Sequence, residues 1–163
     1  MRIGLISDIH VSKPRETPLY ALKQAFGNID MLLSAGDHIA VSVLEELETI
    51  APLKAVAGNC DKYHNPEELS AKRIVKLNGH RIGLIHGWGE PYEDEKKVLS
   101  AFRTHNVEAI IYGHTHIPSI KEHEGVLIIN PGSPTFPRGG SSKSVGILIV
   151  EKDQPLVVEI VRV

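Results

Sequence analysis

The chain has 163 residues, enough for one domain with its own core, and its 18 basic and 20 acidic side chains are interspersed for a formal charge of −2. That balance offers no polybasic stripe to nucleic acid or an anionic membrane, and a single cysteine excludes an internal disulfide. The apolar start of MRIGLISDIH meets Asp8 and His10 too soon for a secretory signal or a spanning helix, so a reducing cytoplasm is the expected compartment.

The first predicted strand is RIGLIS, residues 2–7. TPLYALKQAFG then reads as a helix, with Thr17 as its cap, Pro18 at the first helical position, Gly27 as its stop, and Leu19, Leu22 and Phe26 on one stripe. DMLLSA (30–35) is the second strand, followed by a helix in SVLEELETI, where Ser42 and Glu45 suggest a capping box and Leu44, Leu47 and Ile50 face inwards. LKAVA (53–57) is the third strand. This strand–helix alternation predicts parallel pairing through right-handed crossovers. VKLNGHRI sets Asn78-Gly79 between two antiparallel strands, the second continuing as RIGLIH (81–86). A helix is expected around Glu93 to His105, with Glu93, Asp94 and Glu95 in its first turn and Val98, Leu99 and Phe102 as its apolar face. EAIIYG (108–113), VLIIN (126–130) and VGILIV (145–150) are further strands, and a turn around Asp153 to Pro155 leads into a last one. The Gly/Ser-rich stretch 134–144 reads as a mobile surface loop, in which Arg138 is an exposed residue or, alternatively, part of the lining of a crevice. No internal repeat or linker is visible, which predicts a single domain over residues 1–163.

Nine histidines stand out in a chain with only 5% aromatic residues, and their placement is the functional signal. Five predicted strands end in metal-type ligands: SDIH with Asp8 and His10, AGDH with Asp37 and His38, GNCD with Asn59, Cys60 and Asp61, HGWGE with His86, and GHTH with His114 and His116. Each motif alone is weak, because polar residues and Asp are common in loops after strands. Carboxyl ends of parallel strands share one edge, where open α/β sheets place their ligands, so the five loops converge in one crevice. Mixed imidazole, carboxylate and amide donors suit Mn, Fe, Ni, Co or Zn better than Ca or Mg. Seven donors exceed what one open centre needs and suit two cations that share a carboxylate. Two dications against the carboxylates of Asp8 and Asp37 leave a positive surplus that favours an anionic substrate such as a phosphate ester.

Asp8-x-His10, Gly36-Asp37, Gly58-Asn59-x-Asp61, His86 and Gly113-His114-x-His116, with NPGS at 130–133, resemble in order the motifs of calcineurin-like metallophosphoesterases. Their spacing is similar to that of the small YfcE-type phosphodiesterases. The resemblance implies an α/β fold, a four-layer αββα sandwich of two mixed sheets flanked by helices. It implies that Asp8, His10 and His116 hold one metal, that Asn59, His86 and His114 hold the second, and that Asp37 bridges them. The cofactor expected is then a pair of divalent transition-metal ions, manganese first, with nickel, cobalt, iron or zinc as alternatives. The reaction expected is hydrolysis of a small phosphodiester or other phosphate ester by a metal-bridging water or hydroxide. Self-association into a homo-oligomer is compatible with the sequence.

Many members of the wider family carry a histidine between the asparagine and the aspartate, where it protonates the leaving oxygen with help from that aspartate. This chain has Cys60 there, so Cys60 and Asp61 are expected on the leaving-group side, with weakened general-acid catalysis and a bias towards good leaving groups. His38 is expected to support the site or face solvent, and His64, His80, His105 and His123 read as ordinary polar surface. Two other readings compete: a phosphomonoesterase, and a non-catalytic protein-binding scaffold like the retromer subunit that shares this fold. A scaffold tolerates loss of metal ligands, whereas all seven positions are filled here.

Overall fold

β-Branched and leucine-rich runs with no wet face can only be buried between layers, and the computed structural model, which describes residues 1–61, 69–90 and 94–163, places them so. The strands are β1 (Arg2–Ile6), β2 (Met31–Ser34), β3 (Leu53–Ala55), β4 (Lys72–Leu77), β5 (His80–Ile85), β6 (Ala109–Ile111), β7 (Ser119–His123), β8 (Val126–Asn130), β9 (Ser144–Ile149) and β10 (Val157–Arg162). The helices are α1 (Leu19–Phe26), α2 (Val41–Glu48) and α3 (Asp94–Phe102), with a short 3-10 turn at Pro14–Glu16. Two five-stranded sheets form, in the orders β10-β9-β1-β2-β3 and β4-β5-β6-β8-β7. β1, β2 and β3 pair in parallel, as do β5, β6 and β8, while the outer hairpins are antiparallel, so both sheets are mixed.

The period-2 alternation of a strand decides which layer each residue joins. Ile3 and Leu5 of β1 meet Leu33, Val75, Ile82, Leu84 and Ile111 between the sheets. Ile6 of the same strand instead packs with Leu22 and Phe26 of α1 and Val43 and Leu47 of α2. On the far side, Val98 and Phe102 of α3 pack on Ile85, Ile110 and Ile128. The result is the expected αββα order of layers.

Several local expectations change. Gly27 does end α1, at φ 59° with its N–H on the Lys23 carbonyl, but Pro18 is the cap residue and the buried Thr17 makes no side-chain cap. α2 begins after Ala40 with no side-chain cap, which puts Ser42 inside the helix instead of capping it. Its buried face is Val43 and Leu47, with Leu44 and Ile50 only half-buried. α3 starts at Asp94, and Glu93 and His64 lie outside the described residues. β7 was not predicted, because SIKEH carries no apolar alternation: it is a charged edge strand, defined by its pairing to β8 across Glu124-Gly125.

His80 is the clearest correction, since it is buried and not surface. Its Nδ1 lies 2.7 Å from Glu108 Oε2 and its Nε2 lies 2.9 Å from the Glu151 carbonyl. Both partners are acceptors, so both ring nitrogens must carry protons, and those hydrogen bonds raise the His80 pKa above its ordinary 6.5, with Asp153 adding to the effect. Next to it, Asn78 of the β4–β5 turn donates from Nδ2 to the Val150 carbonyl at 2.8 Å, so two hairpins from different sheets are tied at this end. A group whose pKa is raised by folding stabilises fully below its unfolded value and loses that contribution as pH rises through the folded value. The difference in thermal stability between the wild type and His80→Gln is therefore expected to be largest near pH 6 and to shrink towards pH 9 in a chelator-containing buffer; a pH-independent difference would contradict the imidazolium.

Candidate metal centre

All nine residues singled out follow the carboxyl ends of parallel strands: Asp8 and His10 after β1, Asp37 after β2, Asn59 to Asp61 after β3, His86 after β5, and His114 and His116 after β6. Leaving a strand sharply enough to turn a side chain back over its end needs unusual backbone. Asp8 (φ 55°), His10 (φ 48°), Asp37 (φ 57°), His114 (φ 77°) and His116 (φ 59°) all occupy the left-handed region. Asp, Asn and His tolerate it best, yet each such residue costs on the order of 1–3 kcal/mol, so the surroundings must hold it there.

The holding groups are visible. The Asp8 N–H donates to the Gly36 carbonyl and the His10 N–H to the Asp37 carbonyl, both at 3.0 Å. The His114 N–H reaches the Asp8 carboxylate at 3.0 Å across the gap between the sheets. Ser7 Oγ donates to the Gly132 carbonyl and Ser133 Oγ to the Asp8 carbonyl, while Asn130 Nδ2 donates to the Gly113 carbonyl. Glycine is required where these loops close: a Cβ on Gly113 would lie 2.9 Å from Asp8 Oδ2 and 3.0 Å from His86 Nδ1, and one on Gly58 would enter the Asp37 carboxylate.

Asp61 carries the largest share. Its Oδ2 accepts from the N–H groups of Asp37 and Gly58 and its Oδ1 from those of His38 and Ile39, all at 2.8 Å. Ile39 is β-branched at φ 78°, a conformation this bond helps to sustain. Burial would raise the Asp61 pKa, but His38 and the backbone donors outweigh it and hold the carboxyl well below the usual carboxylate range. His38 is buried, with Nε2 at 2.5 Å from Ser34 Oγ and Nδ1 at 3.3 Å from Asp61 Oδ2.

The donor atoms then face one another. His10 Nε2 and His116 Nε2 are 3.1 Å apart with their rings stacked, and His116 Nε2 is 3.5 Å from Asp8 Oδ1. Asp37 Oδ2 is 3.4 Å from His10 Nε2 and also 3.4 Å from His86 Nε2. His114 Nδ1 and Asn59 Oδ1 are 3.2 Å apart, and the His86 and His114 rings meet edge to face. The tautomers follow from the other nitrogen of each ring. His86 Nδ1 donates to the Ala35 carbonyl at 2.6 Å, His116 Nδ1 to the Phe136 carbonyl at 2.6 Å and His114 Nε2 to the Gly89 carbonyl at 3.0 Å. Their remaining nitrogens face carboxylate, amide oxygen or imidazole; burial opposes a charge on His86, but the Asp37 and Asp8 carboxylates outweigh it and raise its pKa above the ordinary 6.5. Carboxylates and imidazoles that converge in this way can hold a cation between them.

Three overlapping sets fit an ion: Asp8, His10 and His116; Asp8, Asp37 and His86; and His10, Asp37 and Cys60. Burial favours neutral His10 and lowers its pKa against the pull of Asp37 and Asp8. Burial opposes ionisation of Asp37, but hydrogen bonding and charge attraction from His86, with the Cys60 N–H and His10, hold it at about 2. Burial and the Asp37 carboxylate push the Cys60 thiol up to about 11. The thiol receives a hydrogen bond from Asn59 Nδ2 at 3.3 Å. Asp8, Asp37, His86 and His116 form the buried floor, whereas Asn59 is exposed and His10, Cys60 and His114 are half-exposed, which opens the site on that side.

Sequence reasoning missed three contributors. Ser7 Oγ lies within hydrogen-bonding distance of both the adjacent Asp8 Oδ2, at 2.8 Å, and the Gly132 carbonyl, at 3.0 Å, and the Phe136 carbonyl leaves no local pattern because His116 is 20 positions away. Asp94 was read as a first-turn helix acid, but it is buried beneath Gly87, its Oδ1 accepts from the Trp88 N–H at 3.1 Å, and burial raises its pKa. No helix among the described residues is long and apolar enough to cross a membrane.

The model of the calcineurin-like phosphoesterase superfamily domain matches residues 1–153. A probable metallophosphoesterase of Methanothermobacter thermautotrophicus is 36% identical over 162 residues, covering 99% of this chain and 92% of the relative. Phosphodiesterase YfcE of Escherichia coli K12 is 28% identical over 187 residues, with 98% and 97% covered. Among solved structures, Entamoeba histolytica Vps29 complexed with Zn2+ superposes with a TM-score of 0.76 at 24% identity, covering 98% of each chain.

Asp61→Asn tests the hub of the site. Each carboxylate oxygen takes two N–H donors, so an amide must turn its NH2 against one pair. The expected loss is about 3 kcal/mol in urea unfolding, from charged hydrogen bonds exchanged for buried unpaired donors; a loss under about 1 kcal/mol would show that the loops hold without it.

Proposed function

Because this chain belongs to the calcineurin-like phosphoesterase superfamily, we propose that it is a binuclear metal-dependent phosphoesterase that hydrolyses phosphodiesters. The observation that carries the binuclear reading is the position of Asp37 Oδ2, equidistant at 3.4 Å from His10 Nε2 and His86 Nε2. One carboxylate oxygen between two imidazole nitrogens is the arrangement a shared ligand needs. On this reading Asp8, His10 and His116 would hold one divalent ion, Asn59, His86 and His114 would hold the other, and Asp37 would be shared between them. Two such ions supply Lewis acidity, lowering the pKa of a bound water and neutralising phosphoryl oxygens.

The chain's own contribution is order. Carbonyls of Ala35, Phe136 and Gly89 fix the ring tautomers of His86, His116 and His114, so their free nitrogens need no reorganisation to bind a cation. Asp61 fixes the backbone of Asp37 and Gly58, and the Cys60 N–H fixes Asp37 Oδ1 at 2.8 Å. The buried floor keeps water from one side and the Asn59 and His114 side admits substrate. A diester is favoured over a monoester by the E. coli relative that bears that name. Cys60, half-exposed at the open side, takes the leaving-group position.

Protein stripped with a chelator and reloaded with Mn, Ni, Co, Zn or Mg is expected to hydrolyse bis-p-nitrophenyl phosphate faster than p-nitrophenyl phosphate with at least one transition metal. His116→Ala is expected to lose more than the roughly 10- to 100-fold that removal of an outer partner costs. Confirmed occupancy by two ions with no turnover of either ester would reject the enzyme and leave a protein-binding scaffold.

Cys60→His gives a separate outcome. An imidazole there is expected to raise the rate on phenyl esters, which need a proton on the leaving oxygen, by about tenfold or more relative to p-nitrophenyl esters. An unchanged ratio would remove Cys60 from the leaving-group side.

A further inference from the structure

The Gly/Ser-rich segment, expected as a mobile surface loop, is pinned to the candidate metal centre. Ser133 Oγ accepts from the Phe136 N–H at 2.8 Å, and Thr135 Oγ1 donates to the Ile9 carbonyl at 2.6 Å. The Phe136 carbonyl holds His116 Nδ1, and the Arg138 N–H returns to the His116 carbonyl at 3.3 Å. Beyond it, the Ser141 N–H and Oγ both donate to the Arg138 carbonyl, and Gly139 packs so closely that a Cβ would lie 2.8 Å from Ile117 Cδ1. The backbone from 133 to 141 is therefore preorganised, and two side chains project from it.

Phe136 is 52% exposed, although nothing in the fold needs a bare ring there. Its edge meets the His10 ring at 6.3 Å between centroids. Arg138 is exposed, and its guanidinium makes no ion pair among the described residues. Both line a groove of about 430 Å3 together with Pro137, His10 and His116, so the groove opens directly off two of the facing imidazoles. An aromatic face and a guanidinium on one rigid turn are the two groups that stack on planar rings, and order given in advance lets a ligand gain affinity without paying to fix the loop.

We propose that this groove is a ring-binding subsite, in which Phe136 and Arg138 stack on a planar aromatic group, an aryl ring or a nucleobase, of a phosphate ester whose phosphoryl group lies at the metal centre. The inference rests on the phosphoesterase reading and adds a substrate class to it: aromatic phosphate esters in preference to aliphatic ones. Phe136 and Arg138 are specificity residues on this view. Neither touches the reacting atoms.

Binding separates the inference from the reading beneath it. With the manganese-loaded protein, calorimetric titration of phenylphosphonate and methylphosphonate compares ligands that share an anionic head and differ in the ring. Phenylphosphonate is expected to bind about tenfold more tightly, the range of one stacked ring. Phe136→Ala should abolish that preference, Phe136→Tyr should retain it, and Arg138→Gln should reduce it. Thymidine 5′-monophosphate beside ribose 5-phosphate distinguishes the sources: a preference for the nucleotide that Phe136→Ala removes identifies a nucleobase, and its absence alongside a phenyl preference identifies an aryl group. Equal affinity of the two phosphonates for the wild type, or a phenyl preference that survives Phe136→Ala, overturns the subsite; persistent diester hydrolysis would then leave the phosphoesterase reading intact. Failure of both phosphonates to bind protein that holds its metal overturns both.

Discussion

Four backbone N–H groups converge on the Asp61 carboxylate, and the candidate site depends on that convergence. The donors come from two loops, after β2 and after β3, which otherwise have no reason to keep the left-handed turns at Asp37 and Ile39. Hydrogen bonds to a charged acceptor contribute about 1.5–3 kcal/mol each, the same order as the strain they offset. A short side chain buried at the base of the loops thus sets where the Asp37 oxygens point, and Asp37 Oδ2 faces both His10 and His86.

A second constraint acts on the imidazoles. A histidine ring can present a lone pair to a cation only if its other nitrogen donates, and three carbonyls, of Ala35, Phe136 and Gly89, accept those protons. Burial disfavours a charge on His86, but the adjoining Asp37 and Asp8 carboxylates outweigh it and raise its pKa. The apolar layers supply the stabilisation that lets so many polar groups crowd one buried edge.

The sequence made the interior strands and the convergence of their polar loop ends legible, because continuous Val/Ile/Leu runs have one physical fate and loops after parallel strands share one edge. It was poor at edges and caps. β7 has the composition of a surface segment and becomes a strand only through β8, while Ser42 satisfied a capping pattern that Ala40 pre-empted by starting the helix earlier. His80 shows the same limit, since nothing near it in sequence reveals the Glu151 carbonyl that receives its proton. At the site, the motif places Asp61 beside the leaving-group side, and nothing near it in sequence reveals the four backbone N–H groups that its two oxygens accept. Composition also misjudged 134–144, where Ser141 anchors the Arg138 carbonyl and Ser133, just before the segment, anchors the Phe136 N–H.

The candidate ligands are divided between the sheets, with Asp8, His10, Asp37 and Asn59 following strands of the first and His86, His114 and His116 following strands of the second. Its geometry is therefore only as good as the register between two layers whose shared interior is apolar. Hydrophobic burial is non-directional, and it resists separation of the sheets far more than a small slide. Directional bonds at the ends of the sandwich must supply the rest. At the site end these run from Ser7 to Gly132, from Ser133 and His114 to Asp8, and from His86 to Ala35. At the opposite end they run from Asn78 to Val150 and from His80 to Glu151. Held at both ends, the sheets cannot shear without breaking hydrogen bonds, and the distances between histidines more than a hundred positions apart, such as His10 and His116, are set by the whole sandwich and not by their own loops alone.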